Sequence, residues 1–433
     1  MTTIAEIKLW GRTIGAVSIE PGADVAAFQY TPAFAKSGFE IAPLTMPLSQ
    51  RIYTFPTLSR ETFHGLPGLL ADCLPDKFGN ALINAWLATQ GRTAESFNAV
   101  ERLCYTGTRG MGALEFSPAA GPIFRQATAI DIDALVKLAS DVLHERINLK
   151  ANLAPAAREA ALRDILRVGT SAGGARAKAV IAWNRATNEV RAGQMPAGEG
   201  FEYWLIKFDG VTNNKDKELA DPQGYGAIEY AYALMAQAAG IEMSECRILE
   251  ENGRRHFMTR RFDRRASGEK IHMQTLGAMA HFDFNQAGTT SYEQAFLTMR
   301  QLGLGTRARE QQTRRMVFNV IARNQDDHVK NIAFLQDKTG QWALSPAYDI
   351  TYANNPTGAW TNRHQMSING KREEITRDDL RAAAKAAQLK RGVAESVIAE
   401  VAKATGKWRS YAKKAGVTKM WVADIEENFR RLT

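Results

Sequence analysis

Cysteine is scarce in this chain: three in 433 residues, at Cys73, Cys104 and Cys246. No two have the spacing of a metal knuckle or a redox pair. A disulfide-stapled fold is thereby excluded, and a reducing compartment is expected. Long apolar runs are missing too. No stretch approaches the roughly 20 residues that cross a bilayer, so no membrane partner is expected. The opening residues, Met1-Thr2-Thr3-Ile4-Ala5-Glu6, lack the basic flank and apolar core of a secretion signal. A cytoplasmic protein is the expectation. There is no internal repeat and no low-complexity segment, which excludes solenoids and repeat arrays. What remains is an ordinary globular composition, long enough for two or three domains. The formal net charge of +9 favours acidic partners such as nucleotides, nucleic acid or an acidic protein surface, without choosing among them.

Hydropathy patterning divides the chain into three. Residues 1–125 read as a β-rich unit. Ile4 to Trp10 alternates, Gly11-Arg12 turns, and Ile14 to Ile19 alternates back, which predicts a hairpin. Leu69 to Leu87 has helical spacing interrupted near Pro75, and Ala113 to Phe116 predicts a strand. Nothing in this unit looks catalytic, and His64 reads as a loop residue. Residues 126–265 begin with an amphipathic helix, Asp133 to Arg146, and continue with strands Ala179 to Trp183, Phe201 to Phe208, Arg247 to Leu249 and His256 to Phe262. From 266 to 433 the pattern turns helical, over Tyr292–Leu302, Arg307–Ala322, Arg377–Ala387, Gly392–Thr405 and Val422–Leu432. The basic runs near the end read as solvated helix faces.

One stretch organises the rest: Asn324-Gln325-Asp326-Asp327-His328-Val329-Lys330-Asn331, between a helical run and the strand-like Ile332-Ala333-Phe334-Leu335. The interval from Asp326 to Asn331 is that of a protein-kinase catalytic loop, from the base for the acceptor hydroxyl to a Mg²⁺ ligand. Base and metal must meet at one γ-phosphate, so both must leave one loop in a fixed relation. A second carboxylate is needed across the metal. Asp349 supplies it if a strand, a turn and a strand (Gln341 to Leu344) fold the chain back. By itself the stretch reads more readily as a polar loop that caps a helix; with Asp349 placed as it is, the two readings balance.

Upstream lie the other parts of a nucleotide site. Gly169-Thr170-Ser171-Ala172-Gly173-Gly174 has the small residues that let backbone N–H groups approach a phosphate, although most glycine-rich loops are only turns. Lys207 lies within an apolar-flanked strand, which is costly unless it is paired or binds something. The competing reading is an edge-strand residue with its ammonium in water. Glu229, at the start of a helical segment, is a candidate partner for Lys207 or a simple helix-start acid. Arg260 and Phe262 end the last strand of the small lobe, where an adenine-binding hinge belongs.

Glycine loop, strand Lys, helix Glu, hinge, loop Asp and Asn, then Asp is the order of a bilobal kinase. With Asp326-Asp327-His328-Val329-Lys330-Asn331, Tyr348-Asp349-Ile350, Arg261-Phe262-Asp263-Arg264-Arg265, Ser171-Ala172-Gly173-Gly174-Ala175 and the stretch Leu66 to Asp76, the chain resembles the HipA-type serine/threonine kinases over nearly its full length. These are toxin halves of bacterial toxin–antitoxin pairs. The resemblance implies an α+β, bilobal, protein-kinase-like fold with a β-rich N-terminal subdomain and a mostly α-helical C-terminal lobe. It implies ATP and Mg²⁺, with Asp326 as catalytic base and Asn331 and Asp349 as metal ligands. Gly169, Thr170, Ser171, Ala172, Gly173, Gly174, Lys207, Arg260, Phe262, His328 and Lys330 would bind ATP, and Ser171 would be autophosphorylated. The implied partners are a HipB-like helix-turn-helix antitoxin, operator DNA through that complex, and an aminoacyl-tRNA synthetase target such as glutamyl-tRNA synthetase. Two departures stand out: Asp327, where some relatives have Gly, and the Ala172-Gly173-Gly174 loop. A lipid or small-molecule kinase, whose loops also carry Asp-x-His-x-x-Asn, and a corepressor with little kinase activity are the alternatives.

Overall fold

The computed structural model describes residues 2–121, 127, 129–143, 166, 176–211, 215–216, 219–220 and 224–432. The expected hairpin is present as β1 (Thr3–Leu9) and β2 (Arg12–Ile19), which pair antiparallel. With β3 (Ala27–Tyr30) and β4 (Leu114–Ser117) they form a sheet in the order β3-β2-β1-β4. Alternate residues of these strands, including Ile7, Val17, Phe28 and Phe116, fill a core with Leu70 and Leu103 from neighbouring helices. This period-two burial is what the sequence alternation required.

The helix Lys77–Thr89 starts at Asp76, whose carboxylate accepts from Gly79 N at 2.6 Å. It leaves the first core and packs behind the next sheet. Phe78, Leu82 and Ile83 share one core with Ile181, Trp204, Ile206 and Met258, alongside the helix Ile132–Leu143. That second sheet consists of β5 (Lys178–Asn184), β6 (Val190–Ala192), β7 (Phe201–Lys207), β10 (Cys246–Glu251) and β11 (Arg254–Arg260), in the order β10-β11-β7-β5-β6. Between its third and fourth strands in sequence lies a two-residue pair, β8 (Lys215–Asp216) with β9 (Leu219–Ala220).

The helix Tyr225–Ala238 crosses the other face of the sheet. It begins four residues before Glu229, so Glu229 lies in its second turn rather than opening it. Gly226 explains the close approach: a Cβ there would sit 2.6 Å from the Arg255 carbonyl oxygen. Asp209, just past β7, accepts from Gly224 N at 2.8 Å and from Arg255 N at 3.2 Å, which ties the helix start to the sheet. The same helix contributes Ile228, Tyr232 and Met235 to the core of the helical lobe, so it joins the two lobes.

That lobe holds the helices Tyr292–Gln301, Thr306–Ile321, Arg377–Ala386, Val393–Thr405, Trp408–Ala415 and Lys419–Asn428. Trp408–Ala415 is not foreshadowed in the sequence. It is short and basic, yet Trp408, Tyr411, Ala412 and Ala415 recur at helical spacing and face the core, a period that the surrounding lysines and arginines masked. A three-stranded sheet, β12 (His272–Thr275), β13 (Ala333–Gln336) and β14 (Trp342–Leu344), lies beside these helices. The strand–turn–strand expected between Asn331 and Asp349 is therefore present as β13 and β14. Among the described residues, no helix is long and apolar enough to cross a membrane.

Candidate active site

The loop after the helix Thr306–Ile321 is set by its buried polar residues. Arg323 takes a left-handed conformation with φ of 57°. The Asn324 side chain donates to Asn319 Oδ1 at 2.9 Å, and Gln325 N donates to Ala353 O at 2.9 Å. Asp327 is 3% exposed. It accepts from Tyr292 Oη at 2.8 Å and Gln365 N at 2.8 Å, and its Oδ2 lies 2.9 Å from His364 Nδ1. Burial alone would raise its pKa, but the His364 charge and these hydrogen bonds together lower it. Asp327 is thus the loop's inward anchor, which answers why this loop tolerates a carboxylate there.

With Asp327 turned inward, Asp326 turns out. Its Oδ1 accepts from Trp360 Nε1 at 2.7 Å, and its backbone carbonyl accepts from Asn331 Nδ2 at 2.8 Å. The second bond closes the loop and fixes the relation between the two residues. His328 caps the short 3₁₀ turn Val329–Asn331, its Nδ1 accepting from Lys330 N at 3.2 Å. Lys330 places its ammonium 4.4 Å from the Phe284 ring centre, and its carbonyl accepts from Tyr348 Oη at 2.5 Å. Asp327, His328, Asn331, Tyr348 and Asp349 all line one cleft.

Lys207 reaches that cleft from the small lobe. Its ammonium donates to Glu229 Oε1 at 2.6 Å and also bonds the Asp349 carboxylate. Burial would lower the Lys207 pKa, yet the charges of Asp349 and Glu229 raise it, so the side chain stays cationic. Asp349 responds in the opposite sense. Burial raises its pKa, but Lys207 and then Lys178 hold it below the usual carboxylate range. Asp349 is thereby kept ionised, the form a hard cation requires, and its partly exposed side chain is open to the cleft. Asn331 and Asp349 offer the oxygen ligands suited to Mg²⁺, which is commonly held by one or two protein ligands plus phosphate.

Other candidates fall elsewhere. Phe262 lies in the turn after β11, its ring 5.4 Å from that of Tyr348, at the edge of the cleft. Arg260 pairs in register with Trp204, which places it on the face opposite Lys207. There it lies 3.8 Å from Glu202 and 3.7 Å from Glu245, so its side chain does not join the cleft. Gly169, Thr170, Ser171, Ala172, Gly173 and Gly174 lie outside the described residues.

Two residues were missed in the sequence. Lys178 is paired in register with Lys207 and is buried. Like charges directly opposite on neighbouring strands repel, and each lysine has its own carboxylate. That of Lys178 is Asp76, at 3.4 Å, from the first unit of the chain. Burial first, against the charge of Lys178, pushes Asp76 up to about 6. The sequence signal for Lys178 is a lysine immediately ahead of an apolar strand.

Comparison with known proteins agrees with this architecture. A family model for the HipA N-terminal domain matches residues 5–117, and one for the HipA-like C-terminal domain matches residues 170–408. The structure is similar to that of HipA from Shewanella oneidensis MR-1, solved as a complex with HipB and operator DNA. The TM-score is 0.66 at 18% identity, over 98% of this chain and 95% of that one. A lesser likeness to the Helicobacter pylori proinflammatory kinase CtkA covers 50% of this chain and 89% of that one. Its TM-score is 0.30 at 10% identity, too low to carry any argument. No curated protein matches the chain. With more than half its length under one of these models, and the bilobal kinase-like fold in place, the chain belongs to the HipA family.

Proposed function

We propose that this protein is a serine/threonine protein kinase that transfers the γ-phosphoryl group of ATP to a protein hydroxyl. The observation that carries the reading is the contact of one buried ammonium, Lys207, with both Glu229 and Asp349 beside the Asp326–Asn331 loop. Lys207 would bind ATP phosphate, with Lys178 a second cation on the same face. The backbone of Gly169 to Gly174 would cover the phosphates, Phe262 would wall the adenine, and His328 and Lys330 would flank the phosphates from below. Mg²⁺, held by Asn331 and Asp349, would neutralise phosphate charge. Asp326 would orient the acceptor hydroxyl and take its proton as the new P–O bond forms. The bond to the β-phosphate breaks and ADP leaves. Most of the rate enhancement would come from positioning and charge stabilisation.

On the same reading the chain is a toxin. It is neutralised by a HipB-like helix-turn-helix antitoxin, meets operator DNA through that complex, and phosphorylates an aminoacyl-tRNA synthetase. The membership of the family and the likeness to a HipA bound to HipB and DNA support this. The test is a phosphoproteomic comparison of cells expressing wild type or Asp326→Ala. Protein phosphosites present only with the wild type are expected, a synthetase among them. Identical phosphoproteomes would contradict the kinase reading.

A further inference from the structure

The chain beyond Asp349 returns over the catalytic loop and is gripped there by two adjacent carboxylates. At its base, buried Asp327 accepts from Gln365 N at 2.8 Å, and its Oδ2 lies 2.9 Å from His364 Nδ1. Gln365 in turn uses its side-chain amide to hold the carbonyl of Trp360. At its tip the indole of Trp360 donates to Asp326 Oδ1 at 2.7 Å. The His328 ring, its Nε2 3.8 Å from the same oxygen, is too distant to hydrogen-bond it.

This chain of contacts has a direction. An indole N–H can only donate, so Trp360 offers the carboxylate oxygen a donor and cannot compete with it for a proton. The backbone that carries it is held by Gln365, and Gln365 by a carboxylate that is sealed from solvent. The indole is therefore presented to Asp326 from a fixed base. A carboxylate on a loop ordinarily samples several rotamers. A charge-assisted hydrogen bond to one oxygen holds its plane and leaves its orientation determined before an acceptor arrives.

We propose that Trp360 is a positioning residue for phosphoryl transfer: its indole N–H fixes the Asp326 carboxylate in the orientation that receives the acceptor hydroxyl. This rests on the kinase reading with Asp326 as base. It also assigns a task to the Asp326-Asp327 pair. One carboxylate anchors the returning segment, and the other is aligned by it.

The test uses the full chain in a phosphoryl-transfer assay, with Trp360→Phe retaining the ring and losing the N–H. The expected result is a fall in kcat of roughly tenfold with KM for Mg·ATP within about twofold, because the interaction serves the transition state and not nucleotide binding. A merely structural role would instead lower thermal stability or move KM. An independent readout is the indole N–H resonance of Trp360, identified by its loss from the spectrum of Trp360→Phe. It should move in Asp326→Ala, which removes its acceptor. Wild-type kcat in Trp360→Phe, or an indole resonance that stays put in Asp326→Ala, overturns the proposal even while Asp326→Ala remains inactive. Transfer by Asp326→Ala at the wild-type rate would overturn the base assignment itself, and Trp360 with it.

Discussion

The cleft set Lys207, Glu229 and Asp349 and the hinge set Arg261, Asp263 and Arg264 are built from the same chemistry, cations around carboxylates, and they end differently. Asp263 is 0% exposed, and both its oxygens accept hydrogen bonds. Arg261 donates to Oδ1 at 2.9 Å and to Oδ2 at 2.7 Å, and Arg264 and Gly112 N each reach Oδ2 at 2.7 Å. Arg264 goes on to the carbonyls of Gly112 and Gly110, each at 2.9 Å, so the cluster fastens the first unit of the chain to the hinge. Asp349, by contrast, has a side chain 36% exposed and faces a cleft. Its lysine is shared with Glu229. The residue types do not separate an anchor from a site. The hydrogen bonds on the carboxylate and its access to solvent do.

The sharpest way to break this comparison is to remove the cleft carboxylates. Asp326→Ala should lower phosphoryl transfer by roughly 10²–10⁴-fold with the circular dichroism spectrum unchanged. Asp349→Ala should be as inactive and should also lose Mg²⁺-dependent nucleotide binding. Neither should unfold the protein, since both side chains are partly exposed, 24% for Asp326 and 36% for Asp349.

The hinge cluster should respond in stability instead. Asp263→Ala leaves two buried arginines without their carboxylate and should cost about 3–5 kcal/mol in urea unfolding. The pH dependence has a definite sign. Burial would raise the Asp263 pKa, but Arg261 and Arg264 hold it well below the usual carboxylate range. A depressed folded pKa contributes stability that is full above the unfolded value, about pH 4. It is lost as pH falls towards the folded value. The gap in stability between wild type and Asp263→Asn should therefore be widest above about pH 4 and narrow on acidification.

Self-modification offers a finer probe of the cleft. Phosphate on Ser171 would bring nearly two negative charges into a loop proposed to hold ATP phosphates. Intact-mass spectrometry after incubation with Mg·ATP should show one added phosphate in wild type and none in Ser171→Ala. The modified form should bind ATP at least roughly tenfold more weakly. Equal affinity would contradict a repulsion between the Ser171 phosphate and ATP. The smallest effect is expected at Arg260. Its pairs are partly exposed and its side chain lies on the far face of the sheet. Arg260→Ala should change ATP affinity by less than about twofold and stability by under about 1 kcal/mol.

The loop, the strand lysine and the returning carboxylate were legible because each is local: a fixed interval, an apolar strand interrupted by charge, a strand–turn–strand. The partners that make them work were not. Asp76 meets Lys178 across roughly a hundred intervening residues, and nothing near Asp76 marks it as more than a helix cap. Trp360 meets Asp326 through a segment with no periodicity. The face taken by the Arg260 side chain was not legible, because a strand alternates faces and its register with Trp204 is set by pairing rather than by its own sequence. The β-rich first unit was read correctly as strands, yet its helix Lys77–Thr89 belongs to the core of the next sheet, a choice made by packing and not by pattern.

The measurement that bears most directly on the account is calorimetric titration of the full chain with ATP, with and without Mg²⁺, for wild type and Asp349→Asn. The account predicts that wild type binds ATP more tightly with Mg²⁺ and that Asp349→Asn loses that dependence while staying folded. Binding by wild type that is indifferent to Mg²⁺, or no binding at all, would contradict it.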